Sequence, residues 1–403
     1  MTSELFVWIY LPMRDEPVVA GRIEIAPTAA NAVGYFTYGR SYLNRPDAIP
    51  IDPVTLPLRK GEIPVSDLGG YPAAVLDACP DTWGIRVINR LVGQREIPRG
   101  YLLLNDPGRA GCLAFSESSD QPPVELASRE FPLADLLAAA EAVESDGPVD
   151  QELLKALHPG TGGARPKCNI IEGDAVWIAK FPSADDKIIS IPRLEHATMS
   201  LARRCGIDAS ETRLREINGR DICLVKRFDR VIANGRIYRK GFLSARTIFF
   251  ADPNYAWVGT GSYQRIARWM PRFGVTRDAR LELFRRLVFN VAIRNDDDHE
   301  LNHGLVHLER DAFTLSSAYD LVPGLNRHEV HRHALLIGES GAGTIENLLS
   351  VSDAFGLSRD DARRIVTEIE TTVLDRWQES FYEAGFGDED LHKLADVFRR
   401  IPE

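Results

Sequence analysis

The sequence predicts an α+β chain, on three observations. Residues 5–10 and 18–25 are strand-like runs near the amino terminus; residues 168–171 and 175–181 are two more apolar runs joined by the polar turn Glu172, Gly173, Asp174; and beyond Asp320 the pattern turns helical. Strands and helices therefore mix in the amino-terminal half, and helices dominate the carboxy-terminal half.

The two opening strands begin an amino-terminal module that closes near Phe115, and the polar run SESSDQPPVELASRE, residues 116–130, reads as a linker. A helix over residues 133–143 leads to the glycine-rich stretch GTGGARPK, residues 160–167, and to the two strands around Gly173. Pro192 starts a helix whose apolar stripe is Leu194, Ala197, Leu201, Ala202 and Cys205, with Gly206 as its stop. Residues 222–225 form an apolar strand running into Lys226, Arg227, Phe228, Asp229, Arg230. Residues 281–294 repeat at helical spacing with one buried stripe, and residues 304–308 and 312–315 form a short hairpin. Ser358 with Asp361 resembles a capping box ahead of a helix over residues 362–377, and residues 389–400 form a last helix. There is no internal repeat.

At 403 residues and 44% hydrophobic, the chain can bury a sizeable core and forms two or three compact units by length. Five cysteines without a CxxC pair suit a reducing compartment, and no segment approaches ~20 uninterrupted apolar residues, so a soluble cytoplasmic protein is expected. A net charge of −10 argues against the whole molecule embracing nucleic acid.

The chemistry is concentrated in NDDDHELN. Three consecutive aspartates offer three registers, but only Asp297 stands five residues before Asn302, and Asp320 follows in AYD beyond the hairpin. Protein kinases use that order and spacing for a catalytic base, a metal-holding Asn and a metal-holding Asp. An isolated DDD is ordinarily a solvated loop; the ordered helix, D-x-x-x-x-N, hairpin and Asp favour phosphoryl transfer. His299, His303 and His307 recur every four residues, but in loop and strand rather than on one helical face. A structural role is expected for His299, in orienting the Asp297 loop, and surface positions for the other two.

A nucleotide pocket should lie upstream. Gly162 and Gly163 let backbone amides approach an anion, and Arg165 and Lys167 add positive charge, although the loop lacks the Walker pattern. Lys180 shares a strand face with Val176 and Ile178, which directs its ammonium to an otherwise apolar side; it either snorkels or pairs with an anion. Glu195, fifteen residues on, lies at the border of its helix's buried face, as does the glutamate that pairs with the strand lysine in kinases.

These stretches resemble one family, the HipA-type serine/threonine kinase toxins of bacterial toxin–antitoxin modules. GGARPK, AKFP around Lys180, the Glu195 helix, KRFDR, DDHELNHG and AYDLVP carry the resemblance, with PDTWG at residues 80–84 and GRAGCLAF at residues 108–115 extending it to nearly the whole chain. It implies a protein-kinase-like two-lobed fold: an amino-terminal module over residues 1–115, an N-lobe-like region with the Gly-rich loop over residues 131–235, and a mostly helical C-lobe-like region over residues 236–403. It implies ATP and Mg²⁺ as cofactors, Asp297 as base and Asn302 and Asp320 as metal ligands. Cofactor contacts would come from Gly162, Gly163, Ala164, Arg165, Pro166, Lys167, Lys180, Glu195, Lys226, Phe228, His299 and Tyr319. The implied partners are a protein substrate from translation, such as an aminoacyl-tRNA synthetase, and a helix-turn-helix antitoxin of the HipB type, with DNA met only through that antitoxin and no membrane. Family members carry an autophosphorylated serine in the phosphate loop where this chain has Gly160; either Thr161 takes its place or self-inactivation is absent. Two rival readings are a catalytically silent kinase-like scaffold that binds an antitoxin/DNA complex, and a metal-dependent hydrolase built on the acidic cluster.

Overall fold

Leu5, Val7 and Ile9 alternate along β1 (Ser3–Tyr10) and are all buried, so one face of the strand is committed to a core. β1 pairs antiparallel with β2 (Pro17–Pro27) and β5 (Leu113–Ser116), and β3 (Ala32–Tyr38) and β4 (Glu62–Val65) complete a sheet of order β4-β3-β2-β1-β5. Short helices α1 (Arg40–Leu43), α2 (Ala73–Leu76) and α4 (Arg99–Leu102) and the longer α3 (Thr82–Val92) lie between these strands in sequence. Asp81 caps α3 by accepting from the Gly84 amide. The stretch read as a linker is anchored within its described part: Glu125 accepts from Tyr10 Oη at 2.9 Å and pairs with Arg239.

The computed structural model describes residues 3–27, 32–65, 68–125, 130–158, 163–186, 189–255, 261–325 and 331–403. It divides into two units, neither continuous in sequence: Met1–Ala184 with Arg227–Leu243 and Val306–Phe313, and Asp185–Lys226 with Ser244–Leu305 and Thr314–Glu403. Among the described residues no helix is long and apolar enough to cross a membrane.

The first unit continues through α5 (Leu133–Glu144) and α6 (Gln151–Leu157) to the predicted hairpin of β6 (Lys167–Glu172) and β7 (Ala175–Lys180), whose turn places Gly173 at φ +66°. In the second unit α7 (Ile191–Arg204), capped by Ser190, precedes β8 (Thr212–Ile217) and β9 (Arg220–Lys226). The hairpin of β8 and β9 turns on Asn218–Gly219, and a second hairpin in the first unit, β10 (Arg230–Ala233) with β11 (Arg236–Arg239), turns on Asn234–Gly235; all four residues have positive φ. Asn-Gly is the pair that a two-residue turn with two positive φ values favours, and neither β8 nor the β10–β11 hairpin is among the sequence expectations. β12 (Phe242–Ser244), β13 (Gly304–Glu309) and β14 (Ala312–Leu315) form a three-stranded sheet of order β12-β13-β14.

The second unit is otherwise helical: α8 (Ala245–Phe250), α9 (Tyr263–Trp269), α10 (Arg277–Ala292), α11 (Ile345–Ser350), α12 (Arg359–Glu383) and α13 (Asp388–Leu394). α12 packs on α7 and α10; Phe284 of α10 is edge-on to Phe355, ahead of α12, at 5.1 Å, and Trp377 of α12 stacks on Phe398 near the chain end at 4.5 Å. Each such fully buried ring contributes roughly 1.5–3 kcal/mol of transfer free energy. Three boundaries differ from expectation. α10 starts at Arg277, capped by Thr276, because a cap and a polar first turn carry no apolar period. Ser358 does cap α12, but that helix runs to Glu383. The last helix ends at Leu394 instead of Arg400.

α10 also lacks the single buried stripe expected of it. Leu283, Phe284 and every residue from Arg286 to Ala292 are buried, so the helix enters the core on all sides. A helix held that firmly is a rigid base for the acidic loop at its carboxy-terminal end.

Candidate active site

The site residues fall on both units. In the first unit Gly162, like Gly160 and Thr161, lies outside the described residues. Gly163 takes φ +112°, a left-handed backbone that favours glycine; Ala164 is exposed and Arg165 half-buried. The Pro166 carbonyl accepts from the Phe181 amide at 2.9 Å, and the Lys167 carbonyl accepts from Trp83 Nε1 at 2.9 Å, so the exit of the loop is tied to β7 and to α3.

Lys167 and Lys180 are directly opposite in the register of β6 and β7. Directly paired residues share a face, and two like charges there are destabilising on their own. Two lysine side chains on one face carry charge of the sign that would suit an anion such as a phosphate. Lys180 shares its strand face with the buried Val176 and the half-buried Ile178, as the period-two pattern has it, and is itself half-buried at the strand end, whereas Trp177 and Ala179 on the opposite face are fully buried. A period-two pattern gives the two faces of a strand, but only packing decides which one is inside. Phe228, half-buried, tilts against Phe242 at 5.9 Å. Beside it Asp229 is fully enclosed between Arg227 and Arg230, at 2.7 and 2.8 Å. Burial pushes its carboxyl up, but the two guanidinium charges outweigh that and hold it well below the usual carboxylate range.

In the second unit the three aspartates after α10 have three different environments: Asp296 is half-buried, Asp297 exposed and Asp298 only 1% exposed. A general base must reach a substrate proton, so of the three Asp297 alone has the access as well as the spacing. Asn302 Nδ2 donates to the Asp297 carbonyl oxygen at 2.9 Å, and the Asp297 amide donates to Asn295 Oδ1 at 3.3 Å. The interval of five residues is therefore the reach of a closed loop.

Asp298 is the keystone beneath that loop, a role that spacing does not disclose. Its carboxylate accepts from Tyr263 Oη and faces His303 Nε2 at 2.8 Å and His333 Nδ1 at 3.8 Å, and its carbonyl accepts from the Leu335 amide at 2.9 Å. Tyr263 Oη in turn accepts from Asn290 Nδ2 at 2.9 Å, and Asn290 Oδ1 accepts from Asn295 Nδ2 at 3.1 Å. Hydrogen bonds thus run from the Asp297 amide down to α10, across to α9 and back to the neighbouring Asp298. Burial pushes the Asp298 carboxyl up, but His303 and His333 outweigh it and leave it below the usual carboxylate range; burial, with Asp298 adding to it, drives the Tyr263 phenol far above its ordinary value.

His303 and His307 are 4% and 5% exposed, which corrects the expected surface positions. His303 is drawn inside by Asp298, and His307 by the Arg310 carbonyl, to which its Nε2 donates at 2.8 Å. His299 Nδ1 accepts from the Leu301 amide at 3.2 Å and so caps the turn that carries Asn302.

The Asp320 segment is bound to the same loop at both ends. Tyr319 Oη donates to the Leu301 carbonyl at 2.7 Å, and the Gly324 amide donates to the Arg294 carbonyl at 3.1 Å. A Cβ on Gly324 would come within 2.1 Å of that carbonyl oxygen, so only glycine allows the approach. Between these ties Asp320 adopts φ +59°, a conformation few non-glycine residues hold. Among the described residues no group of three His, Cys, Asp or Glu side chains forms a metal site. A pair made of Asn302 and Asp320 leaves most of a divalent ion's shell to phosphate and water, as magnesium prefers.

The position of Glu195 differs from expectation. Glu195 is 3% exposed, inside the buried face of α7 and not at its border. Lys226 Nζ lies 3.3 Å from Glu211 Oε2, and its amide donates to the Glu211 carbonyl at 2.9 Å, so the end of β9 is fixed to the start of β8.

Comparison with known proteins agrees with this architecture. HipA from Shewanella oneidensis MR-1, solved with HipB and operator DNA, superposes with a TM-score of 0.65 over 96% of this chain and 94% of its own, at 16% identity, and so shares the fold. The Sinorhizobium fredii protein named "Putative kinase Y4dM" is 31% identical over 249 residues, which are 57% of this chain. The chain spans about half the length of that curated relative, 55%. The family model described as the HipA-like C-terminal domain matches residues 160–377, more than half of the sequence. With its α+β fold, this chain belongs to the HipA-like C-terminal domain family.

Proposed function

We propose that the chain is an ATP-dependent serine/threonine protein kinase of the HipA toxin type. The observation that carries this reading is the catalytic loop: an exposed Asp297 whose main chain is held by Asn302 and Asn295, with Asp320 in a left-handed conformation on a segment hydrogen-bonded to the same loop. A hydrolase using the acidic cluster would leave the opposed Lys167 and Lys180 without a purpose, and a silent scaffold has no need of a strained Asp320.

In this reading Lys167 and Lys180 hold the phosphates of ATP, and Asn302 and Asp320 hold magnesium. The bound magnesium supplies charge neutralisation on the phosphates. Asp297 orients the substrate hydroxyl and takes its proton as the oxygen bonds to the γ-phosphorus and the bond to ADP breaks. His299 and Tyr319 act indirectly, by fixing the turn at residues 299–302. The partner we propose is a helix-turn-helix antitoxin of the HipB type, as in the Shewanella assembly, and the substrate a component of translation.

The test is phosphate incorporation from labelled ATP, run beside a melting curve with ATP and magnesium. Wild-type protein should be stabilised by the nucleotide. Asp297→Asn should bind it equally well yet lose about 10²- to 10⁴-fold in turnover. Undiminished incorporation in that variant would remove Asp297 as base, and binding without transfer in the wild type would favour the silent scaffold.

A further inference from the structure

The PDTWG stretch lies outside the family-matched residues 160–377, and the proposed reaction gives it no task. In the first unit its side chains meet the end of the Gly-rich loop. Trp83, 1% exposed, donates from Nε1 to the Lys167 carbonyl at 2.9 Å. Asp81 Oδ2 lies 3.9 Å from Lys167 Nζ, and a Cβ on Gly163 would come 2.1 Å from the same Nζ and 3.8 Å from the same carboxylate oxygen. Asp81, Gly163 and Lys167 therefore converge on one spot.

The charges there need each other. Lys167 is 3% exposed and stands directly opposite Lys180 across the strand pair. A buried ammonium facing a second one is stabilised by negative charge close to it. Asp81 Oδ2 is buried and has no hydrogen-bond partner among the described residues, while Oδ1 accepts from the Gly84 amide at 3.4 Å to cap α3. One oxygen is thus occupied by the helix and the other is turned to the lysine. Burial leaves the Asp81 carboxyl above its ordinary value, and the Lys167 charge offsets part of that rise.

Resting on the proposed kinase activity, we infer that Asp81 is a positioning residue of the amino-terminal module: it keeps Lys167 charged and aimed at the phosphates of ATP. The module is then part of the nucleotide site instead of an appendage to it. The carboxylate oxygen 3.9 Å from Nζ places a negative charge beside the ammonium on the side of α3.

The test is calorimetric titration with ATP and magnesium on the full chain. Asp81→Asn removes the charge but keeps an oxygen that caps α3, since Asn and Asp cap equally well. It should weaken binding about tenfold, the loss of one charge-assisted contact. Lys167→Met should weaken binding at least as much, and the double variant should be no weaker than Lys167→Met, because Asp81 acts only through the lysine. Asp81→Ser, another good cap, must reproduce the loss, and Asp81→Glu must recover part of it. Wild-type affinity in Asp81→Asn and Asp81→Ser, or losses that multiply in the double variant, would overturn the inference and leave the proposed function standing. Absence of nucleotide binding by the wild type would overturn both.

Discussion

Asn302 donates its side-chain amide to the main-chain carbonyl of Asp297 at 2.9 Å, so the two residues that the motif spaces five apart are the two ends of one hydrogen-bonded turn. The bond engages the backbone of Asp297 and not its carboxylate. The asparagine thus fixes the proposed base through its main chain.

Adjacent aspartates should give opposite phenotypes. Asp298→Ala leaves Tyr263 and His303 without their buried acceptor, and should destabilise the protein by about 3–5 kcal/mol. Asp297→Ala, at an exposed position, should change stability by no more than about 0.5 kcal/mol. Urea denaturation of the two variants measures the contrast, and equal losses would contradict the assignment of roles.

Asp320 should separate stability from activity. Replacing it with glycine relieves a left-handed conformation that costs on the order of 1–3 kcal/mol, against roughly 0.5–1 kcal/mol of added chain entropy. Asp320→Gly should therefore keep or raise the melting temperature while abolishing magnesium-dependent phosphate transfer. A variant that loses stability and activity together would make Asp320 a structural residue.

Asp229 is buried between Arg227 and Arg230, and also accepts from the Gly111 amide at 2.9 Å. Removing it would leave two buried guanidinium groups uncompensated, a loss of about 3–5 kcal/mol. Asp229→Ala should lower the denaturant midpoint accordingly, and Asp229→Asn should recover only the neutral hydrogen bond.

Acid should weaken the fold before the exposed carboxylates titrate. His196, His307 and His331 are all held below the ordinary histidine value, chiefly by burial, His331 down to about 4. Between that value and about 6.5 the unfolded chain binds protons that the folded chain refuses, so stability falls as pH drops through this window. The depressed Asp298 adds a further loss only below the ordinary carboxylate value. Melting temperatures between about pH 7.5 and 5 should decline. His331→Gln, which can still donate to the Asn295 carbonyl, should flatten part of that decline.

The candidate site was legible where chemistry demands a fixed interval. Asp297 and Asn302 had to be five apart because the loop closes on itself, and Gly173 had to sit in a tight turn because the backbone there is left-handed. Asp298, Tyr263, Asn290 and His333 were not legible, since their partnership joins α9, α10 and segments up to 70 residues apart and leaves no local period. The buried His303 and His307 were misplaced for the same reason: a polar residue in a loop reads as exposed until its partner is known.

By itself the sequence determined the α+β class, the hairpin of β6 and β7, the positions of α5 and α7, the start of α12, and the interval between Asp297 and Asn302, because these depend on neighbours within a few turns of chain. Only the tertiary structure decided which of three aspartates is accessible, which face of β7 is inside, and that Asp81 and Trp83 meet Lys167 from more than 80 residues away. Burial is set by what packs from elsewhere in the chain, and the cost of an unpaired buried charge then selects the partners.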